Sequence, residues 1–180
     1  MELLIGVSGG VAAYKTAHLV SRLAQEGHGV TVVMSAAAQQ FVGPATFSAL
    51  SGRKVLTDSF DLDDHPLGPH IELARAAELF CIAPASADLL AKAANGLADD
   101  LLSTLLLSFD GPMLMAPAMN SSMWAKPAVQ RNLETLRRDG VRIIEPGAGW
   151  LSCREQGKGR MAEAEEIAEV IRQTLSADTT

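Results

Sequence analysis

The segment WLSCREQGKGRM, residues 150–161, is polar and glycine-containing, yet it holds one of the two cysteines of the chain. Arg154 flanks Cys153, and Lys158 and Arg160 are nearby. Cations lower a thiol pKa, and the thiolate is the reactive form. An incidental exposed thiol is the plainer alternative. Cys81 lies inside the apolar run LFCIAP and reads as a packing residue. Among the histidines, His70 stands out by context: it heads HIEL, after a proline- and glycine-containing loop and before a buried strand. His18, His28 and His65 read as surface or core residues. Asn120 follows Pro117-Ala118-Met119 and precedes Ser-Ser-Met-Trp124, a place where asparagine most often caps a helix. No CxxC, HExxH or histidine pair occurs, which argues against a metal site.

Two further segments suit an anion. Ser8-Gly9-Gly10 joins an apolar strand to a helix start, where backbone N–H groups can hold phosphate. The dinucleotide pattern GxGxxG is absent, because Gly6, Gly9 and Gly10 have the wrong spacing, and there is no GxxxxGK[ST] loop. Alone, this segment reads as a tight turn. Ser86 opens another helix after Pro84, where the ordinary role is an N-cap. Two such starts at adjacent strand ends favour one bound phosphate, as in a mononucleotide.

The elements that must position these residues follow from hydrophobic patterning. Leu3–Ser8, Val30–Met34, Leu79–Pro84, Pro112–Pro117 and Val141–Pro146 read as buried strands, and Lys54–Thr57 as a short one. Helical spacing runs over Val11–Glu26, in pieces over Ala36–Leu50, over His70–Ala77, over Ser86–Leu107 with a break at Gly96, over Pro127–Arg138 and over Ala162–Leu175. Gly147–Met161 reads as an open loop of about 15 residues, a length usual for functional or disordered segments. The last few residues should fray. The strands are apolar throughout and alternate with helices. That predicts a parallel sheet covered on both faces, a doubly wound three-layer α/β domain with ligands at the carboxyl ends of its strands.

The length of 180 residues suits one domain, and two cysteines fit a reducing, cytoplasmic setting better than a disulfide framework. The start MELLIGVSGG has no basic n-region and is not expected to act as a leader, and no apolar run reaches membrane length. The net charge of −6 argues against a nucleic-acid partner.

Several segments together resemble the flavin-containing cysteine decarboxylases. They are GVSGGVAAYK (6–15), HIEL (70–73), IAPASADLLAKAANGLADDLLST (82–104), PAMNSSMW (117–124) and LSCREQGKGRM (151–161), in family order over nearly the whole chain. The resemblance implies a Rossmann-like or flavodoxin-like fold, FMN as cofactor, and a homo-oligomer built of trimers, some of which form dodecamers, with FMN at a subunit interface. It implies that Gly9, Gly10, Val11 and Ser35 approach the flavin. Ser86, Ala87, Asp88 and Leu89 would hold its phosphate and ribityl chain, and Ala118 would border the ring. Asp88 stands where many members have Asn, so its carboxylate is expected to turn away. His70 would position the substrate carboxylate and act in proton transfer. Asn120 would bind that carboxylate and contact the flavin, and Cys153 would protonate the enethiol intermediate. Trp150, Leu151, Ser152 and Met161 would belong to a clamp over the substrate.

The reaction implied begins with oxidation of a cysteine moiety to a thioaldehyde by FMN. Loss of CO2 and re-reduction of the enethiol follow. The resemblance is strongest to members that act on 4′-phosphopantothenoylcysteine in coenzyme A synthesis, giving 4′-phosphopantetheine. Alternatives are oxidative decarboxylation of a C-terminal peptide cysteine, and a non-catalytic flavin-binding regulatory subunit. One departure is informative: members usually have Cys-Gly-Asp or Cys-Gly-Glu in the clamp, where this chain has Cys153-Arg154-Glu155. Residues 1–180 are expected to form a single FMN-binding decarboxylase domain without a fused synthetase domain.

Overall fold

The sheet forms because five short apolar runs can bury both faces only when helices cover them. The computed structural model describes residues 1–177; the end of the chain expected to fray lies partly outside these residues. Strands β1 (Glu2–Val7), β2 (Gly29–Met34), β3 (Leu79–Ala85), β4 (Met113–Pro117) and β5 (Arg142–Ile143) pair in parallel, in the order β2-β1-β3-β4-β5. Central β3 is buried along its whole length, as a strand covered on both faces must be. The order reverses between β1 and β3, so the crevice at their carboxyl ends is the expected ligand site.

The pleat divides the core. Leu3, Ile5 and Val7 face helices α1 (Ala13–Gln25) and α8 (Ala164–Ala177). Leu4, Phe80 and Ile82 face the opposite layer of α4 (Ala87–Asn95), α5 (Leu101–Ser108) and α7 (Pro127–Arg138). Gly6 lets α5 close on the sheet, since a Cβ there would lie 2.7 Å from Leu102 Cδ1. Helices α2 (Pro44–Ser51) and α3 (Pro69–Ala76) each begin with proline in the first turn, where its missing N–H costs nothing. The break expected at Gly96 is a left-handed C-cap, after which Asp100 starts α5 with a capping box to Ser103.

Three expectations are corrected. Gly147–Met161 is not an open loop: β6 (Gly147–Trp150) and β7 (Gln156–Arg160) pair antiparallel as a hairpin. Its strands carry four glycines and few apolar residues, so neither period nor β-propensity marks them. The strand expected at Lys54–Thr57 is a single bridge from Leu56 to Val33. The strand expected at Val141–Pro146 keeps only two paired residues, at the sheet edge.

Candidate active site

The end of β1 and the end of β3 are tied by hydroxyls. Ser8 Oγ donates to the carbonyl of Pro84 at 2.7 Å and accepts from the N–H of Ser86 at 2.8 Å. Thr16 Oγ1, on the buried side of α1, donates to the carbonyl of Ala83 at 2.6 Å. Between them the Ala83–Pro84 peptide is cis. A Cβ on Gly9 would lie 2.5 Å from that of Ala37, so glycine allows the 8–10 and 35–37 turns to touch. Ala118 N–H donates to Ala85 O at 3.1 Å and fixes the loop after β4 beside them. Together these turns enclose a cavity of about 940 Å3 at the carboxyl ends of the strands.

The cavity has an anion seat. Ser86 is the N-cap of α4, its Oγ accepting the Leu89 N–H at 3.2 Å, as the plainer reading had it. That leaves the N–H groups of Ala87 and Asp88 without an acceptor in the helix itself. The start of α1, after Gly10 and Val11, borders the same space. Two positive helix ends facing one cavity suit a phosphate. The Asp88 side chain is 77% exposed and lies 3.5 Å from Lys92, which also pairs with Asp99 at 3.0 Å. The Asp99 hydrogen bond raises the Lys92 pKa.

The opposite wall is the segment after β4 with the hairpin laid on it. Asn120 caps the short helix α6 (Ser121–Trp124) through Oδ1, which accepts the Met123 N–H at 2.8 Å. It also lines the cavity, so the capping and ligand-binding roles coexist. Its amide nitrogen is the group left to offer a ligand. Met119 N–H donates to Gly159 O at 3.0 Å. A Cβ on Gly159 would collide with Met119 O, and its φ of 134° is one that only glycine holds without strain.

The hairpin turns through Ser152-Cys153-Arg154. Leu151 N–H bonds to Glu155 O at 2.8 Å and Arg154 N–H to Leu151 O at 2.9 Å. Such three-residue loops end in a left-handed residue, usually glycine. Arg154 takes that role with φ 65°, alone among the described non-glycine residues. The Arg154 backbone adopts the left-handed conformation that a glycine would take, at a cost of about 1–2 kcal/mol.

Of the residues anticipated from sequence, the cavity brings together Gly9, Gly10, Val11, Ser35, Ser86, Ala87, Asp88, Leu89, Ala118 and Asn120. It also includes Trp150, Leu151, Ser152 and Met161 of the hairpin. His70 and Cys153 do not line it. His70 lies in the first turn of α3. Cys153 is exposed at the hairpin tip, where its Sγ contacts Glu155 Oε2 at 3.8 Å. Cys81 is buried, and burial pushes its thiol up to about 12, so it stays protonated and structural.

Sequence reasoning missed Tyr14, Lys15 and Lys92, which line the cavity together with Arg160. The signal was helical spacing. Lys15 is four residues after Val11 and Lys92 four after Asp88, on helix faces already assigned to the site. Buried Lys15 donates to Met161 O at 3.2 Å and Glu163 Oε1 at 2.8 Å. Arg160 Nη2 reaches the same carboxylate at 2.8 Å. The Lys15 hydrogen bond holds the Glu163 carboxyl below its usual pKa. Among the described residues no cluster of His, Cys, Asp or Glu could hold a metal ion.

Residues 1–176 match the Flavoprotein family. The chain is 49% identical over 166 residues to the coenzyme A biosynthesis bifunctional protein CoaBC of Mycobacterium bovis, covering 92% of this chain and 39% of that protein. It is 44% identical over 178 residues to the Bacillus subtilis protein of the same name, covering 99% of this chain and 44% of that one. The chain thus spans less than half the length of these curated relatives. Among solved structures it resembles the FMN-dependent cysteine decarboxylase SpaF, with TM-score 0.86 and 34% identity over 100% of this chain and 98% of that one. It also resembles a PPC decarboxylase mutant complexed with pantothenoylaminoethenethiol, with TM-score 0.87 and 32% identity over 97% of this chain and 98% of that one. By sequence over nearly its full length, and by a shared flavodoxin-like fold, the chain belongs to the Flavoprotein family.

Proposed function

We propose that this chain is an FMN-dependent decarboxylase of 4′-phosphopantothenoylcysteine, forming 4′-phosphopantetheine in coenzyme A synthesis, in the cytoplasm. The observation that carries the reading is the cavity itself. It has two helix starts for a phosphate, small residues at the turns for a flat ring, and a hairpin laid over its mouth. These features fit FMN: bare backbone at Gly9 and Gly10, uncommitted N–H groups at Ala87 and Asp88, and Ala118 on the opposite wall. CoaBC proteins, the curated relatives, are named for coenzyme A synthesis.

Bound FMN supplies a two-electron acceptor and donor, which gives the substrate a temporary electron sink beside its carboxylate. The protein does the rest. Asn120, with its oxygen held by the Met123 N–H, presents its amide nitrogen to the carboxylate and orients the bond that breaks. His70 exchanges a proton near the same group. Cys153 donates a proton to the decarboxylated intermediate from the hairpin tip. Trp150 and Leu151 shield the reactive sulfur species from water.

Neither His70 nor Cys153 lines the cavity of its own chain. We read the working unit as a homo-oligomer, a trimer by family resemblance, in which a neighbouring copy completes each site. Exposed Val11 and Tyr14 at the cavity rim support this reading, since large apolar side chains there call for a cover.

The test is direct. The purified protein should absorb as a flavoprotein and release CO2 from 4′-phosphopantothenoylcysteine, with product of the 4′-phosphopantetheine mass. FMN-loaded protein that never turns over this substrate would overturn the reading. The second reading, from the family resemblance, is a peptide ending in cysteine. Turnover of such a peptide with accumulation of reduced flavin distinguishes the two.

A further inference from the structure

Every other basic side chain on the cavity or the hairpin has a carboxylate within ion-pair distance. Lys15 and Arg160 share Glu163. Lys92 pairs with Asp88 and Asp99. Lys158 pairs with Glu145 and lies over the Trp124 ring. Arg154 is the exception: among the described residues its guanidinium has no carboxylate partner. Its neighbour Glu155 contacts Cys153 instead. Arg154 also holds a left-handed backbone that glycine would hold without cost. Residues strained in this way cluster at active sites and ligand clamps.

We propose that Arg154 is a specificity residue, the contact of the hairpin tip with the phosphate ester of the substrate. This rests on the decarboxylase reading above and sharpens its substrate class: a cysteine conjugate that carries a phosphate, rather than a peptide. The substrate has two anionic groups, and the choice between them follows from the chemistry. The carboxylate must leave as neutral CO2. A guanidinium on it would stabilise the ground state more than the transition state and slow the step. The phosphate keeps its charge throughout, so pairing with it adds affinity without opposing the reaction. A guanidinium matches phosphate oxygens in bidentate fashion, which a lysine cannot do. The cofactor phosphate needs no such cation, because helix ends serve it.

The experiment compares wild type with R154N and R154K. Asparagine tolerates the left-handed conformation, so R154N removes the charge while keeping the hairpin path. Turnover is measured on 4′-phosphopantothenoylcysteine and on its dephosphorylated form. Binding of 4′-phosphopantetheine and of pantetheine is measured by calorimetry. For R154N, kcat/KM on the phosphorylated substrate should fall by about tenfold or more, the scale of a lost charge-assisted hydrogen bond. The dephosphorylated substrate should change little, and R154K should recover part of the loss. The same preference should appear in binding. Equal loss on both substrates, or no loss on either, overturns the proposal. A wild type that prefers the phosphorylated ligand in binding, yet releases no CO2, would sink the decarboxylase reading and leave the phosphate contact standing. A wild type with no phosphate preference in binding would sink the contact even if CO2 is released.

Discussion

At the scale of single residues, side chains that look interchangeable in the sequence are separated by what they touch. Glu155 meets Cys153, and Glu163 joins Lys15 to Arg160. The first contact bears on proton donation. Cys153→Ser should allow oxidation and decarboxylation but stall reduction of the enethiol, so mass spectrometry should find a product two hydrogens lighter than 4′-phosphopantetheine. Normal product at the wild-type rate would remove Cys153 from that role. The second contact bears on stability. A carboxyl whose folded pKa is depressed stabilises the fold above its unfolded pKa, about 4.3, and loses that contribution as pH falls through the lower folded value. Glu163→Gln should therefore lower Tm at neutral pH, and the gap to wild type should close as the pH falls below the unfolded pKa and then through the lower folded one. A gap independent of pH would show that the loss is one of packing. The place of Asn120 on the cavity was legible, as a residue type in a pattern. Lys15 was not, because its role comes from a carboxylate 148 positions away.

Among the elements, those that pack were legible and the one that covers was not. The buried strands announce themselves because both faces need apolar residues. The hairpin β6–β7 has glycine at four of its nine strand positions, and its shape is dictated by what it lies on. Gly159 approaches the Met119 carbonyl, and Gly157 would place a Cβ 2.7 Å from that of Ser121. These glycines are the docking surface of the hairpin, which no local periodicity records. Gly159→Ala should thus lift the hairpin from the 119–121 segment. Backbone strain and collision together suggest a destabilisation of roughly 1–3 kcal/mol. The expected signs are proteolytic cleavage within 147–161 and a raised KM, with FMN still bound through α1 and α4. Loss of FMN in parallel with the hairpin would mean that the two walls of the cavity are one cooperative unit.

For the whole molecule, the cavity and the proposed proton-transfer residues do not coincide within one chain. Asn120 lines the cavity, while His70 begins α3 and is not among the residues that enclose it. A sequence lists both residues without saying whose cavity each serves, and a sheet topology cannot say it either. If a neighbouring copy supplies His70, then His70→Asn and Asn120→Asp damage different halves of each shared site. Each variant alone should be nearly inactive. Dissociated, mixed and reassociated, the two should regain part of the wild-type rate. In a mixed oligomer some sites draw the intact Asn120 from one chain and the intact His70 from the other. The regained rate should track the fraction of mixed oligomers measured by native mass spectrometry. Mixed oligomers that form without any recovery would place both residues in the same chain's site, and would require α3 to move toward the cavity during the reaction.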